Sequence, residues 1–254
     1  MSPKPGDIFF VILILQPDRI LLILPAFIPM SNKILLPTAY FPPILWIALA
    51  VQSEETWLEY FETFPKQTIR NRCFILSANG PLLLSVPVVR TNGNHSKTVE
   101  MQLAKNEQWQ NKHFRAIMSA YSKSPYFYFY SHHFEAFYQS RFDSLIEVNL
   151  AAIDVLKKIL KTTTFFIPTN DWQKDGNNLI DFRSYFDTVP DQHQEVVKPY
   201  LQVFSDRFPF NPDLSVLDLI FNEGPSSLSY LKNLDLQPIL DKQSLHGSYS
   251  ATSF

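Results

Sequence analysis

Residues 30 to 45 read MSNKILLPTAYFPPIL, and this stretch decides the fold. Ile34-Leu35-Leu36 is a short apolar run of the kind carried by buried strands. Pro42 and Pro43 suit the first turn of a helix, where a missing N–H costs nothing. Ile44 to Gln52 continues as a mostly apolar segment, so the stretch spells a buried strand, a tight corner and a buried helix. Such a corner aims the helix N-terminus at the strand's carboxyl edge. Free N–H groups and the helix dipole favour an anion there, and ligands of open α/β sheets sit at that edge. Tyr40 is therefore a candidate substrate contact, through its hydroxyl or its ring. The alternative is that Tyr40 and Phe41 fill core behind a rigid proline corner.

Working outward, Thr56 to Phe61 and Arg72 to Ala78 read as strands. Asn79-Gly80 is the strongest hairpin signal in the chain, with Leu82 to Val88 returning. Thr98 to Leu103 reads as a further strand. Gln108 to Ser122 spaces Trp109, His113, Ala116, Ile117 and Ala120 along one helical face. Tyr126 to Tyr138 is an aromatic, helical segment, and Arg141 to Leu160 a long helix with a regular apolar side. Thr162 to Ile167 and Tyr200 to Phe204 read as strands. Leu214 to Asn222 is a helix stopped by Gly224-Pro225. The expected fold is α/β of mixed α+β type: a single domain over residues 30–240, with a mixed sheet flanked by helices. Residues 241–254 read as a flexible polar tail.

Residues 1–29 are a separate question. Ile8 to Ile28 approaches the roughly 20 apolar residues a membrane helix needs, but Gln16-Pro17-Asp18-Arg19 lies at its centre. The two charges cost about 5–7 kcal/mol on an insertion scale, and the flanking apolar residues return about 5–9. Three readings stand: sequence upstream of a true start at Met30, a membrane anchor, or a structured extension. In the last, two apolar halves pair as a hairpin turning at Pro17-Asp18. Membrane contact is expected only if residues 8–28 are retained.

The chain has 254 residues, 46% hydrophobic and 18% charged, with a net charge of -2. That charge gives no field to draw it onto nucleic acid, which is not expected as a partner. Cys73 is the single cysteine, so a reducing, cytoplasmic setting is the default. The six glycines are too dispersed for a dinucleotide or P-loop motif, and no cofactor is named by the sequence. His132 and His133 point to different sides of a helix and have no nearby acid at ligand spacing, so no metal is expected.

The candidate chemistry lies elsewhere. Lys66-Gln67 and Arg70-Asn71-Arg72 place three cations and two amides in seven residues, a set suited to phosphate, carboxylate and hydroxyl groups. Its bland reading is a solvated loop, and Arg70 fits that reading best. His113 shares a face with Trp109 and is the candidate catalytic base beside a stacking platform; a hydrogen-bonded core histidine is the alternative. Cys73 could be a thiolate paired with His113 if Arg72 lowers its pKa, or an inert core thiol. Asp218, amid Leu217, Leu219 and Ile220, needs a partner if buried, with Arg72 or Lys66 as candidates. Glu223 is the other acid near that helix end.

Several ordered blocks resemble the WbqC-like family, bacterial proteins associated with surface-polysaccharide gene clusters. They are Pro37-Thr38-Ala39-Tyr40-Phe41-Pro42, Lys66-Gln67, Asn71-Arg72, Leu84-Ser85-Val86-Pro87-Val88, Trp109-x-x-x-His113, Ala120-Tyr121 with Ser124 to Phe127, and Leu214 to Pro225. The wording is most similar to the Bacteroidetes branch. Many members carry Gln before the first Pro, where this chain has Leu36; if that Gln contacts substrate, its absence puts a chemistry common to the family in doubt. The resemblance implies modification or transfer chemistry on glycans or their precursors. The expected substrate-binding residues are Tyr40, Lys66, Gln67, Asn71, Arg72, Trp109 and Asp218, with His113 as catalytic base. The expected ligand is an anionic small molecule or sugar-linked substrate, and the expected activity a metal-independent transferase. The rival is a non-catalytic binding or scaffold protein in envelope biogenesis.

Overall fold

The computed structural model describes residues 9–12, 23–26, 30–105, 108–174, 179–186 and 196–249. Strands β1 (Phe9–Ile12) and β2 (Ile23–Ala26) pair antiparallel with Phe9 opposite Ala26. The turn expected at Pro17-Asp18 lies outside the described residues. No described helix is long and apolar enough to cross a membrane.

Strand β3 (Met30–Pro37), helix α1 (Ile44–Gln52) and strand β4 (Ser53–Glu59) follow one another. Helix α1 passes into β4 without a linking residue, and β4 lies parallel to β3 with Pro37 beside Glu59. Every α1 residue but Val51 is buried, which explains its nearly unbroken apolar sequence: a helix covered on all sides has no polar face. The rest of the sheet comes from much later in the chain. Strand β9 (Phe166–Pro168) pairs with β4, and β10 (Ile180–Asp181) with β3. The order is β10-β3-β4-β9, parallel throughout; the antiparallel strand pairs form separate two-stranded ribbons. The fold is α/β, as expected.

One ribbon is β5 (Arg72–Ser77) with β6 (Gly80–Ser85). Its turn residues are Ala78-Asn79, one position before the expected Asn79-Gly80. Gly80 instead opens β6 at φ +100°, a conformation that side chains rarely adopt. The other ribbon is β7 (Val88–Val89) with β8 (Gln102–Leu103). Of the strand expected over Thr98 to Leu103, Thr98–Glu100 is a 3-10 turn and Gln102–Leu103 is strand. Residues Tyr200 to Phe204, expected as a strand, are irregular over Tyr200 to Gln202 and enter a turn at Val203.

Helices α2 (Trp109–Tyr121), α3 (Phe127–Gln139) and α4 (Leu145–Leu160) pack in sequence, α2 on α3 and α3 on α4, with α2 also against β5. Ser144 caps α4 by accepting from the Glu147 N–H at 3.3 Å. Helix α5 (Val216–Glu223) ends at Gly224, whose φ is +53°. A Cβ there would lie 2.4 Å from the Tyr126 ring, so the stop is set by both conformation and space. Helices α6 (Ser227–Lys232) and α7 (Gln237–Tyr249) are the last described elements, and α7 covers most of the stretch expected as a tail.

Candidate functional site

The corner between β3 and α1 is filled. Tyr40 and Phe41 are fully buried. The Ile44 N–H, in the first turn of α1, donates to the Leu214 carbonyl, and the Val216 N–H donates to the Pro42 carbonyl. The Ser215 hydroxyl donates to the Phe41 carbonyl at 2.7 Å. A strap from the start of α5 thus lies over the helix terminus where an anion was expected.

Tyr40, Trp109 and His113 do converge. The Tyr40 hydroxyl is 2.9 Å from His113 Nδ1 and 2.6 Å from the Tyr138 hydroxyl. Trp109 stands edge-on to both Tyr40 and His113. Phe41, Phe134 and Phe137 close the box beneath. His113 is 6% exposed. Burial pushes its pKa down to about 4, partly offset by a hydrogen bond to the Ser85 carbonyl. A neutral imidazole has one N–H. With that hydrogen on the Ser85 carbonyl, Nδ1 accepts from Tyr40, and the Tyr40 oxygen accepts from Tyr138. Burial and the neighbouring Tyr138 hold the Tyr40 phenol well above its ordinary pKa, so the relay is neutral throughout. An NMR titration of the His113 ring should therefore show neutral imidazole from pH 7 down to about 4. Titration near 6.5 would mean that water reaches the box.

Of the other expected residues, Cys73 borders this box, close enough for its charge to bear on Tyr40 and Tyr138, whereas no described contact joins Lys66, Gln67, Arg72 or Asp218 to it. Lys66 and Gln67 are exposed, and Gln67 sits at φ +53°. Asn71 is buried and structural: its amide donates to the Val86 carbonyl, and the Val86 N–H donates to the Asn71 carbonyl. Arg72 is half-buried, with its Nε enclosed and without a hydrogen-bond partner. Cys73 is buried and its thiol is pushed upward by that burial, which makes it a core residue. Asp218 is fully buried and its partner is not Arg72 or Lys66; the Tyr200 hydroxyl donates to Oδ2 at 2.5 Å. Oδ1 has no partner in good geometry. Burial lifts the Asp218 pKa to about 6, against hydrogen bonds led by that of Tyr200. His132 and His133, expected on different sides of α3, have ring centroids 4.0 Å apart.

A second polar cluster occupies the carboxyl edge of the parallel sheet. Glu59 ends β4 and Asp181 ends β10. Arg183 joins them, donating from Nη1 to Glu59 at 3.1 Å and from Nη2 to Asp181 at 2.6 Å. Its guanidinium also lies 5.8 Å from the Trp172 ring centre. Beside it Arg70, fully buried, donates to both Glu62 oxygens at 2.5 and 2.8 Å, to the Thr68 hydroxyl, and to the Arg183 carbonyl at 3.0 Å. Asn149 of α4 donates to the Arg70 carbonyl at 2.9 Å. Arg70, expected as a solvated cation, is therefore the most deeply placed charge in the loop that carries Lys66 and Gln67. Glu59, Glu62, Asp181 and Arg183 were missed from sequence. Their signal was a charge set at the end of an apolar run, in Trp57-Leu58-Glu59 and Ile180-Asp181-Phe182-Arg183.

Two of the four described non-glycine residues with positive φ follow the strands of this edge, the others being Lys161 and Phe204. Phe41 (φ +40°) follows β3 and Gln67 (φ +53°) follows β4, and neither is glycine. No curated protein and no solved structure matches the chain. A family model does, over residues 38–191, from the first residue beyond β3 through both edge loops and Arg183. This match spans more than half of the sequence, and the chain belongs to the WbqC-like protein family.

Proposed function

We propose that this WbqC-like protein is a cytoplasmic transferase acting on a sugar precursor or other anionic small molecule in surface-polysaccharide metabolism. Its ligand is held at the carboxyl edge of the β10-β3-β4-β9 sheet. The observation that carries this reading is the coincidence, at that edge, of two non-glycine residues in left-handed conformation with a buried network of charges. Strain and buried ion pairs both cost stability and concentrate where a ligand must be met in a fixed geometry. Arg70 and Arg183 are occupied by carboxylates, so they act as a rigid base. Above that base, Lys66 and Gln67 face solvent and supply a cation and an amide for a phosphate or carboxylate and its neighbouring hydroxyls. Trp172, 46% exposed, lies against Arg183 and brings an aromatic ring to the same base.

A screen of nucleotide sugars, acyl donors and aminoacyl donors by thermal unfolding tests this. A ligand at about 100 times its Kd adds about 2.7 kcal/mol to stability. Lys66→Ala should abolish that shift while leaving the ligand-free midpoint unchanged, because Lys66 is exposed. The reading fails if no ligand class shifts the midpoint. The filled box around His113 favours a second reading, a non-catalytic binding protein in envelope biogenesis. Ligand stabilisation with no transfer product by mass spectrometry would select it.

A further inference from the structure

Helices α2 and α3 form a hairpin joined through residues 122–126. Its outer face carries features that neither the sheet edge nor the buried clusters use. An open groove of about 520 Å³ runs between the two helices. At one end Arg115 of α2 stands across from Glu135 of α3. At the other Phe127 stands across from Ser122, with Ser119 and Ser131 between the ends. Arg115 and Glu135 form no ion pair with any described residue. Met118, which lines the groove, is 42% exposed, and Tyr128, next to Phe127, is 87% exposed. Large apolar groups grouped on one exposed face mark a contact surface.

What covers this face can be read from its own charges and shape. A twofold axis laid along the groove sets α2 of one copy against α3 of the other at the same height. Each Arg115 then meets the partner's Glu135, and each Tyr128 meets the partner's Ser119 and Ser122, whose small side chains leave room for a ring. One register satisfies both conditions. An axis across the groove sets α2 against α2 and leaves both charges unpaired. A face whose protrusion and hollow, and whose cation and anion, complement each other across a single axis is what an isologous contact requires. We propose that the α2–α3 face is a homodimer interface, occupied by a second copy of this chain. The reading is independent of the ligand site at the sheet edge.

Sedimentation velocity of the full chain, run from low to high micromolar concentration, tests the proposal. Wild type should pass from monomer to dimer across that range. Arg115→Glu and Glu135→Arg should each weaken the dimer by about tenfold or more, since each breaks two symmetry-related pairs and sets like charges together. The double reversal Arg115→Glu/Glu135→Arg should restore dimerisation, and Tyr128→Ala should weaken it without changing the charge pattern. All three side chains are exposed, so unfolding midpoints should match wild type and confirm that each variant is folded. A monomer at every concentration overturns the proposal, and with it the groove would belong to some other occupant. A dimer indifferent to the single reversals and to Tyr128→Ala overturns it equally, by placing the interface on another face.

Discussion

Arg70→Met should cost about 3–5 kcal/mol, the range for removing one partner of a buried ion pair. The side chain has no solvent exposure, and the methionine fills much of its volume, so a cavity contributes little. The cost comes from what is left behind. Glu62 loses the guanidinium that meets both of its oxygens, while its own side chain is 11% exposed. Thr68 and the Arg183 carbonyl lose a donor as well. For a domain of this size each kcal/mol moves the midpoint by about 2–4 °C, so thermal unfolding should show a fall on the order of 10 °C. Arg70→Met/Glu62→Gln should recover part of the loss, because no uncompensated charge then remains buried. A single variant within about 1 kcal/mol of wild type would show that water reaches Glu62 and that the loop is not anchored as described. Lys66, four residues away in sequence, should be neutral to stability for the opposite reason: it is already in water. The contrast between the two separates the base of the loop from the part free to meet a ligand.

Much of this arrangement was legible in the chain, and the illegible part has a common cause. Ile34 to Gln52 could be read because strand, corner and helix each leave a local signature, and the helix is observed over Ile44–Gln52. The convergence of Trp109 and His113 followed from four-residue spacing. The outer strands of the sheet are three and two residues long, too short for any periodicity to show. The strap that covers the start of α1 is made by Leu214 and Ser215, bonded to Ile44 and Phe41 across most of the sequence. No local pattern announces such a contact, and it turns an apparent anion cradle into core. Arg70 misled for a related reason. A charged residue among Lys66, Gln67 and Arg72 reads as solvated, and only the return of the chain through Arg183 and Asn149 encloses it.

Two buried titrating groups, Asp218 and His113, act on stability in opposite senses. Asp218 has its pKa raised from an ordinary 3.8 to about 6. The unfolded chain therefore releases that proton more readily, and the stability tied to the protonated carboxyl, complete below pH 3.8, is lost as pH rises to about 6. By linkage the difference is worth about 3 kcal/mol. His113 has its pKa lowered from 6.5 to about 4, so the unfolded chain takes up that proton more readily. Stability tied to the neutral ring is complete above 6.5 and falls by a similar amount as pH drops to about 4. Acidification from pH 7 to 4 thus gains at one site what it loses at the other. Asp218→Asn keeps an oxygen for the Tyr200 hydroxyl and removes the carboxylate. At pH 7 it should stabilise the protein by up to about 3 kcal/mol, and near pH 4 the difference should vanish. Urea unfolding of both proteins at the two pH values measures this directly. The variant's own stability should then fall more steeply with acid than that of wild type, because the His113 contribution is no longer offset. A pH-independent difference between the two would mean that Asp218 keeps its charge in the fold, compensated by something other than Tyr200.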